Sequence, residues 1–252
     1  MSRSMTITAV EGLPEIQPGD DIIRQIAEAL SGLAEPVRNG DIAVVAQKVV
    51  SKAHNCFRNL NDIEPRAEAL EIAAATDKDP RVVEVVLQES RSIVRQAAGV
   101  LIAQHKSGHI MANAGLDRSN VRGDEDHVLV LPDDPDGWCR DAAVAFEAYL
   151  GVRMGVVMAD SFGRPWRLGT AGVAIGAAGI QAKLDVRGRP DRFGRPLEST
   201  EIGIADEVAA AASLLMGQTD EGIPVCVVSG LDVAGDGAAA DLLRPSERDV
   251  FR

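Results

Sequence analysis

Cysteine, aromatic side chains and positive charge are all scarce in this chain. Its three cysteines, Cys56, Cys139 and Cys226, are far apart and form no C-x-x-C pair, so they read as small core residues rather than zinc ligands or a thiol redox pair. An aromatic fraction of 3% leaves few platforms on which single-stranded nucleic acid could stack. With 26 Lys and Arg against 38 Asp and Glu, the formal net charge of -12 repels both nucleic acid and anionic membranes, and neither is an expected partner. No apolar run approaches the roughly 18 residues of a membrane span. The N-terminal MSRSMTITAVEGLPEIQPGDD lacks the apolar stretch of a signal peptide, so the expected location is the cytoplasm.

The common nucleotide and hydrolase motifs are missing as well: G-x-x-x-x-G-K-[ST], a strand-to-helix G-x-G-x-x-G, H-E-x-x-H and G-x-S-x-G. Any nucleotide site must therefore be built another way. His54, His105, His109 and His127 have no recognised metal spacing and read as surface or core residues.

What is present is an ordinary globular composition, 46% hydrophobic and 25% charged over 252 residues. At about 150 residues per domain this is one large domain or two small, intimately packed ones. TITAV reads as a short strand, followed by a Pro/Gly-punctuated loop in which Asp20 or Asp21 caps a helix carrying Ile22, Ile23, Ile26, Ala27 and Leu30. Residues 41–52, DIAVVAQKVVSK, begin as a strand buried on both faces and end in polar residues. Helices are expected around 65–76 and 80–90, and two or three short strands over 92–112. A strand HVLVLP leads through the turn DDPDG into a helix over 138–150. The run VRMGVVMA ends at Asp160, and SFGRPWRLGTAG and DVRGRPDRFGRP read as loops dense in glycine and arginine. A helix from about Glu201 to Met216 and a strand PVCVVSG complete the recognisable core. Hairpin-like runs mixed with isolated strand-to-helix units favour an α+β architecture over a regular Rossmann or TIM repeat.

Asp160 follows a predicted buried strand, where polar groups can converge on a ligand, and with the Ser161 hydroxyl it offers two oxygen ligands for Mg²⁺ or Mn²⁺. The same residue serves equally as a helix or turn cap. Asp117 to Asn120 form a second polar cluster, of types that are also common in turns. Lys52 is one of only five lysines against 21 arginines and lies just beyond a buried strand, as a phosphate contact or as a solvated strand end. Arg164, Arg167, Arg187, Arg189, Arg192 and Arg195 suit bidentate contacts to phosphate or carboxylate, or ion pairs with Asp185, Asp191 and Glu198.

The segments GLPEIQPGDD, VVAQKVVSK, KDPRVVEVVLQES, ANAGLDRSNV, LPDDPD, ADSFGRPWRLG and IADEVAAAASLLMG, in this order from about Glu11 to Gly230, together resemble the coenzyme F420:L-glutamate ligase family. The resemblance implies a single domain over residues 1–252, a mixed-sheet α+β fold and an intertwined homodimer. It implies a GTP-dependent enzyme that adds L-glutamate to the lactyl carboxylate of the glutamate-free deazaflavin coenzyme, then γ-linked glutamates, through an acyl phosphate. The F420 precursor, L-glutamate and GTP are thus the implied partners, with two divalent ions, Mg²⁺ or Mn²⁺, and K⁺ as cofactors. By motif matching the metal ligands are Asp117, Asp160, Ser161 and Gln218. The nucleotide contacts are Leu13, Pro14, Glu15, Ile16, Gln47, Lys52, Asn120, Met216, Gly217, Gln218, Thr219, Asp220, Glu221, Gly222 and Ile223, and Asp117, Asp160 and Lys52 are the catalytic set. Relatives commonly carry Glu-Gly-Arg where this chain has His54-Asn55-Cys56, and often threonine at Ser161. A C-terminal nitroreductase-like domain, found in some bacterial members, is not expected here. The same residues are compatible with a metal-dependent phosphohydrolase or a non-catalytic nucleotide-binding protein.

Overall fold

The structure, a computed structural model, describes residues 4–119 and 126–250. Its centre is β2 (Ile42–Ala46), whose side chains are buried on both faces. Ala43 and Val45 enter one apolar cluster while Ile42 and Val44 enter another, the period-two partition of a strand covered on both sides. Around it a mixed five-stranded sheet runs in the order β1 (Thr6–Ala9), β12 (Val225–Ser229), β2, β8 (Gly155–Arg164), β9 (Arg167–Ala178). β2 and β8 are parallel, and the other neighbours are antiparallel.

Helices α1 (Ile22–Ser31) and α5 (Pro135–Leu150) contribute Ile22, Ile26, Leu30, Trp138, Ala142 and Phe146 to one face. Helix α6 (Ile204–Met216) presses Ala205, Val208, Ala209 and Ala212 against the other. Asp21 caps α1 by accepting from Arg24 N at 3.1 Å, and Asp134 caps α5 by accepting from Gly137 N at 2.8 Å. The DPDG residues read as a turn are thus the cap and first turn of α5, with Pro135 in the opening position that suits its missing N–H. A second assembly packs α3 (Ala67–Thr76) and α4 (Pro80–Gln88) on the antiparallel sheet β4 (Ser90–Ala97), β5 (Val100–His105), β6 (Ile110–Ala112). Beside it β3 (Phe57–Asn59) pairs with β7 (His127–Leu129), and β10 (Leu184–Asp185) pairs with β11 (Glu201–Ile202). The architecture is α+β with a mixed sheet. No helix among the described residues is long and apolar enough to cross a membrane.

Two expectations are corrected. Residues 47–53 are not the polar end of a strand but a helix, α2 (Gln47–Ala53), entered directly from β2. Val49, Val50 and Ala53 are buried at helical spacing, and Ser51 Oγ donates to Gln47 Oε1 one turn back at 2.9 Å. Secondly, β8 does not end at Asp160. It continues to Arg164 and turns through Pro165 and Trp166 into β9, so most of SFGRPWRLGTAG is a β-hairpin with Asp160 opposite Val173 and Ser161 opposite Gly172. The outer half leaves the core and has no buried face, so its strands carry no alternating apolar signature.

β9 is a sheet edge, and its free N–H groups are covered by carboxylates from the two helices. Asp206 of α6 accepts from Ala174 N at 3.0 Å, and Asp136 of α5 accepts from Ala177 N at 2.8 Å. Close approach of those helices explains the glycines of β9. A Cβ at Gly172 would stand 2.4 Å from Ala209 O, and one at Gly176 would stand 2.5 Å from Pro135 O. Backbone cannot yield as a flexible side chain does, so Gly176→Ala is expected to destabilise the protein by about 1–3 kcal/mol; urea denaturation with an unchanged midpoint would count against this contact.

His105 and His109 are buried at the end of the second assembly, bridged through the Ser107 hydroxyl at 2.8 and 2.9 Å. Burial holds His105 down at about 4 and shifts His109 in the same direction. The unfolded chain therefore takes up these protons first. Their stabilising contribution is complete above the ordinary histidine value of about 6.5 and is lost as pH falls through that value toward about 4. Over this interval wild-type protein should lose more stability than His105→Gln, as read from denaturation midpoints at several pH values.

Candidate active site

A cavity of about 940 Å³ opens at the carboxyl end of β2, bounded by α2, the loop before α1, the turn after β6, the base of the β8–β9 hairpin and the segment after α6. Strand ends in α/β assemblies are where loops can converge on a ligand. The wall contains Leu13, Pro14, Glu15, Ile16, Gln47, Lys52, Asp117, Asp160, Ser161, Met216, Gly217, Gln218, Thr219, Asp220, Glu221, Gly222 and Ile223. The residues that the resemblance implies as metal ligands and nucleotide contacts thus meet at one place, except Asn120, which lies outside the described residues.

α2 organises one side of the cavity. Gln47, Lys48, Ser51 and Lys52 fall on neighbouring turns, and Lys52 is 9% exposed. Its Nζ donates to Glu15 Oε1 at 2.9 Å, which ties the loop before α1 to the helix. Lys48, which the sequence reading passed over, reaches Asp117 Oδ2 at 2.5 Å and Ser119 Oγ at 2.7 Å. Its signal was available, because Lys48 and Lys52 are one helical turn apart. Asp117 is itself fixed by reciprocal backbone hydrogen bonds with Leu129, each 2.9 Å, and its Oδ1 accepts from the Ser119 N–H at 2.7 Å.

On the opposite side Asp160 sits where β8 passes from full burial to partial exposure. The β8–β9 register slips between Met158 and Ala159, an irregularity of the kind that re-aims side chains beside functional sites. Burial and the nearby negative charge of Asp117 push the Asp160 carboxyl up to about 6, against the opposing effects of the Ser161 N–H and Lys48. The adjacent Ser161 Oγ donates to Gln218 Oε1 at 2.7 Å, linking the hairpin to the segment beyond α6. In that segment Gly217 has φ +75° and ψ -176°, a backbone conformation that glycine alone adopts readily.

Asp117, Asp160, Ser161 and Gln218 present only oxygen donors, the type Mg²⁺ and Mn²⁺ prefer. A buried Asp160 carboxyl facing the negative charge of Asp117 is better accommodated by a divalent cation than by the single ammonium of Lys48, so the donor set fits such an ion. No cluster of three or more His, Cys, Asp or Glu suited to a metal occurs among the described residues. Any ion bound here would therefore also use hydroxyl, amide, water or substrate oxygens.

The loop arginines are placed differently from expectation. None of Arg164, Arg167, Arg187, Arg189, Arg192 or Arg195 lines the cavity, whose cations are Lys48 and Lys52. Arg187 instead grips Asp185, drawing its carboxyl down to about 2, and approaches Glu201 at 3.7 Å. The ion-pair alternative thus holds for Arg187. Cys139 and Cys226 are core residues, while Cys56 is only partly buried.

The model of the family described as F420-0:Gamma-glutamyl ligase matches residues 12–230. The coenzyme F420:L-glutamate ligase of Methanothermobacter thermautotrophicus is 42% identical over 251 residues, covering 98% of this chain and 99% of the relative. That of Methanocaldococcus jannaschii is 40% identical over 252 residues, covering 99% and 98%, and that of Archaeoglobus fulgidus is 42% identical over 243 residues, covering 96% and 94%. With the family model spanning most of the chain and relatives of this identity matching nearly end to end, the chain belongs to the F420-0:gamma-glutamyl ligase family.

Proposed function

We propose that this protein is a GTP-dependent coenzyme F420:L-glutamate ligase of the cytoplasm. It joins L-glutamate to the lactyl carboxylate of the glutamate-free deazaflavin coenzyme and then adds γ-linked glutamates. The observation that carries the reading is the convergence of four oxygen donors and two lysines, drawn from segments distant in sequence, on a single cavity large enough for a nucleotide.

A carboxylate is a poor acyl donor, so its oxygen must first become part of a leaving group. The lactyl carboxylate oxygen attacks the γ-phosphorus of GTP, the bond to the β,γ-bridging oxygen breaks, and GDP and an acyl phosphate result. The glutamate amine then attacks the acyl carbon. A C–N bond forms, the C–O bond to phosphate breaks, and the nitrogen gives its proton to the departing phosphate. Phosphoryl transfer asks for charge neutralisation and alignment more than for covalent help. Divalent ions held by Asp117, Asp160, Ser161 and Gln218 would supply charge neutralisation at the transferring phosphoryl oxygens, with K⁺ as a further counter-charge.

Lys52 exchanges its Glu15 partner for a phosphate oxygen, which couples nucleotide entry to the Leu13–Ile16 loop. Gln47 and the segment Met216–Ile223 flank the nucleotide. Lys48 holds Asp117 in place. Water reaching the acyl phosphate would hydrolyse it, so the glutamate amine must be in place when that intermediate forms.

The active form is proposed to be an intertwined homodimer of chains that each form one domain over residues 1–252. The exposed apolar side chains of Trp166 and Leu168 at the hairpin tip support a second copy as the partner that covers them.

The deciding experiment is mass spectrometry of the glutamate-free coenzyme after incubation with the protein, L-glutamate, GTP and Mn²⁺. Products heavier by glutamyl units only when GTP is present support the ligase; GDP release with no mass shift would point to a phosphohydrolase. Asp160→Asn should lower turnover at least about a hundredfold, since one lost metal-bound charge removes several kcal/mol of transition-state stabilisation. Near-normal turnover would remove Asp160 from the ligand set. Lys52→Ala should raise the GTP concentration for half-maximal rate by about tenfold or more, the scale of a lost charge-assisted hydrogen bond, and a superimposable GTP titration would argue against its phosphate role.

A further inference from the structure

Asp117 has both carboxylate oxygens occupied. Oδ1 accepts from the Ser119 N–H at 2.7 Å and from the Ser119 hydroxyl at 2.8 Å, and Oδ2 takes the Lys48 ammonium at 2.5 Å. The ammonium also donates to Ser119 Oγ at 2.7 Å, which closes a ring of three side chains. Among the described residues, Lys48 is the ion-pair partner of Asp117. Asp117 also borders a second cavity of about 500 Å³, whose other charged wall residues are Asp77, Lys78, Asp79 and Arg118; Asp79 pairs with Arg81 at 2.7 Å.

Within the main cavity the positive charge is unevenly committed. Lys52 is 9% exposed and matched to Glu15 at 2.9 Å. Lys48 is left to balance Asp117, Asp160, Asp220 and Glu221. Its side chain is 30% exposed on a flexible four-carbon stem, so its polar contacts hold it and burial does not.

Those contacts conflict with a metal ion. Oδ1 already serves two donors of Ser119, so an ion reaching Asp117 takes Oδ2. Mg²⁺ bonds to oxygen at about 2.1 Å, and an ammonium sharing that atom would stand no more than about 4.6 Å away. A double and a single positive charge at that separation repel strongly in a partly buried wall. Asp117 does not need the lysine in order to stay in place, because Ser119 and the reciprocal backbone bonds to Leu129 hold it.

We propose that Lys48 is a built-in counter-ion, which screens Asp117 from Asp160 while the site holds no metal and leaves Asp117 when a divalent ion binds there. The inference rests on the metal-site reading above and deepens it by naming a positioning residue that trades places with the ion. The consequence is coupling. An ion arriving alone strands an ammonium without its carboxylate, whereas one arriving with a nucleotide brings phosphate oxygens into the same cavity to take the ammonium over. Ion and nucleotide therefore bind better as a pair than either does separately.

The test is equilibrium binding of Mn²⁺ to the nucleotide-free full chain, read from the loss of the free-ion electron paramagnetic resonance signal. Lys48→Gln keeps a donor toward Asp117 but removes the charge. It should tighten Mn²⁺ binding by about tenfold or more, the scale of one partly buried charge interaction. Lys48→Arg keeps the charge and should bind Mn²⁺ no more tightly than wild type. Adding Asp160→Asn to Lys48→Gln should abolish the gain, which ties the signal to this site. Unchanged or weaker Mn²⁺ affinity in Lys48→Gln overturns the exchange. A crystal structure of the wild-type chain with Mn²⁺ needs no variant: Lys48 Nζ should stand beyond about 4 Å from Asp117 Oδ2, past ion-pair distance. An ion at Asp160 with the Lys48–Asp117 contact intact is equally fatal to the exchange. If neither wild type nor Lys48→Gln binds Mn²⁺, with or without GTP, the metal-site reading itself falls, which separates that failure from failure of the exchange alone.

Discussion

The site depends on holding two carboxylates, Asp117 and Asp160, near one another in a partly buried cavity. Their repulsion, added to desolvation, raises the proton affinity of Asp160, and Lys48 offsets it only in part. Such an arrangement does not persist unless the backbone leaves the side chains nowhere else to go. Asp117 is locked by its two backbone hydrogen bonds to Leu129, and Asp160 by the long β8–β9 ladder. The strain is thus carried by regular backbone pairing rather than by the side chains themselves.

The mixed sheet makes this possible. Parallel pairing of β2 with β8 brings Ala46 beside Ala159, so α2 and the base of the hairpin leave the sheet together. α2 then offers its lysines from one side while Asp160 and Ser161 face it from the other. The segment after α6 closes the third side through Gln218, and the Asn113–Asp117 turn the fourth. Because α5 and α6 press on β9 at its glycines and cap its edge with Asp136 and Asp206, the hairpin base is rigid although its tip extends into solvent.

Polar groups in the cavity wall are largely matched to one another: Lys52 to Glu15, Lys48 to Asp117 and Ser119, Ser161 to Gln218. These contacts join segments that are remote in sequence, so a ligand that exchanges with any of them also acts on the relative placement of the loops. Five acidic residues, Glu15, Asp117, Asp160, Asp220 and Glu221, face only two lysines in that wall. A phosphate-rich guest is unfavourable there without cations that accompany it, which is why the oxygen-donor set and the nucleotide reading belong together.

The sequence by itself determined the elements whose periodicity is enforced by a core: α1, the buried β2, α3, α4, α6 and β12 all lie where apolar spacing or valine runs put them. It also singled out Asp160, Ser161, Asp117 and Lys52 as unusual, and the motif resemblance added the Leu13–Ile16 and Met216–Ile223 segments. Two elements were hidden for physical reasons. α2 is too short and too closely joined to β2 for one period to separate from the other, although its polar residues at positions 47, 48, 51 and 52 lie on one helical face. The outer hairpin has no buried face, so no alternation records it. Tertiary structure alone decided that Lys48 rather than an arginine faces Asp117, because that pairing depends on contacts across the fold that local spacing does not encode.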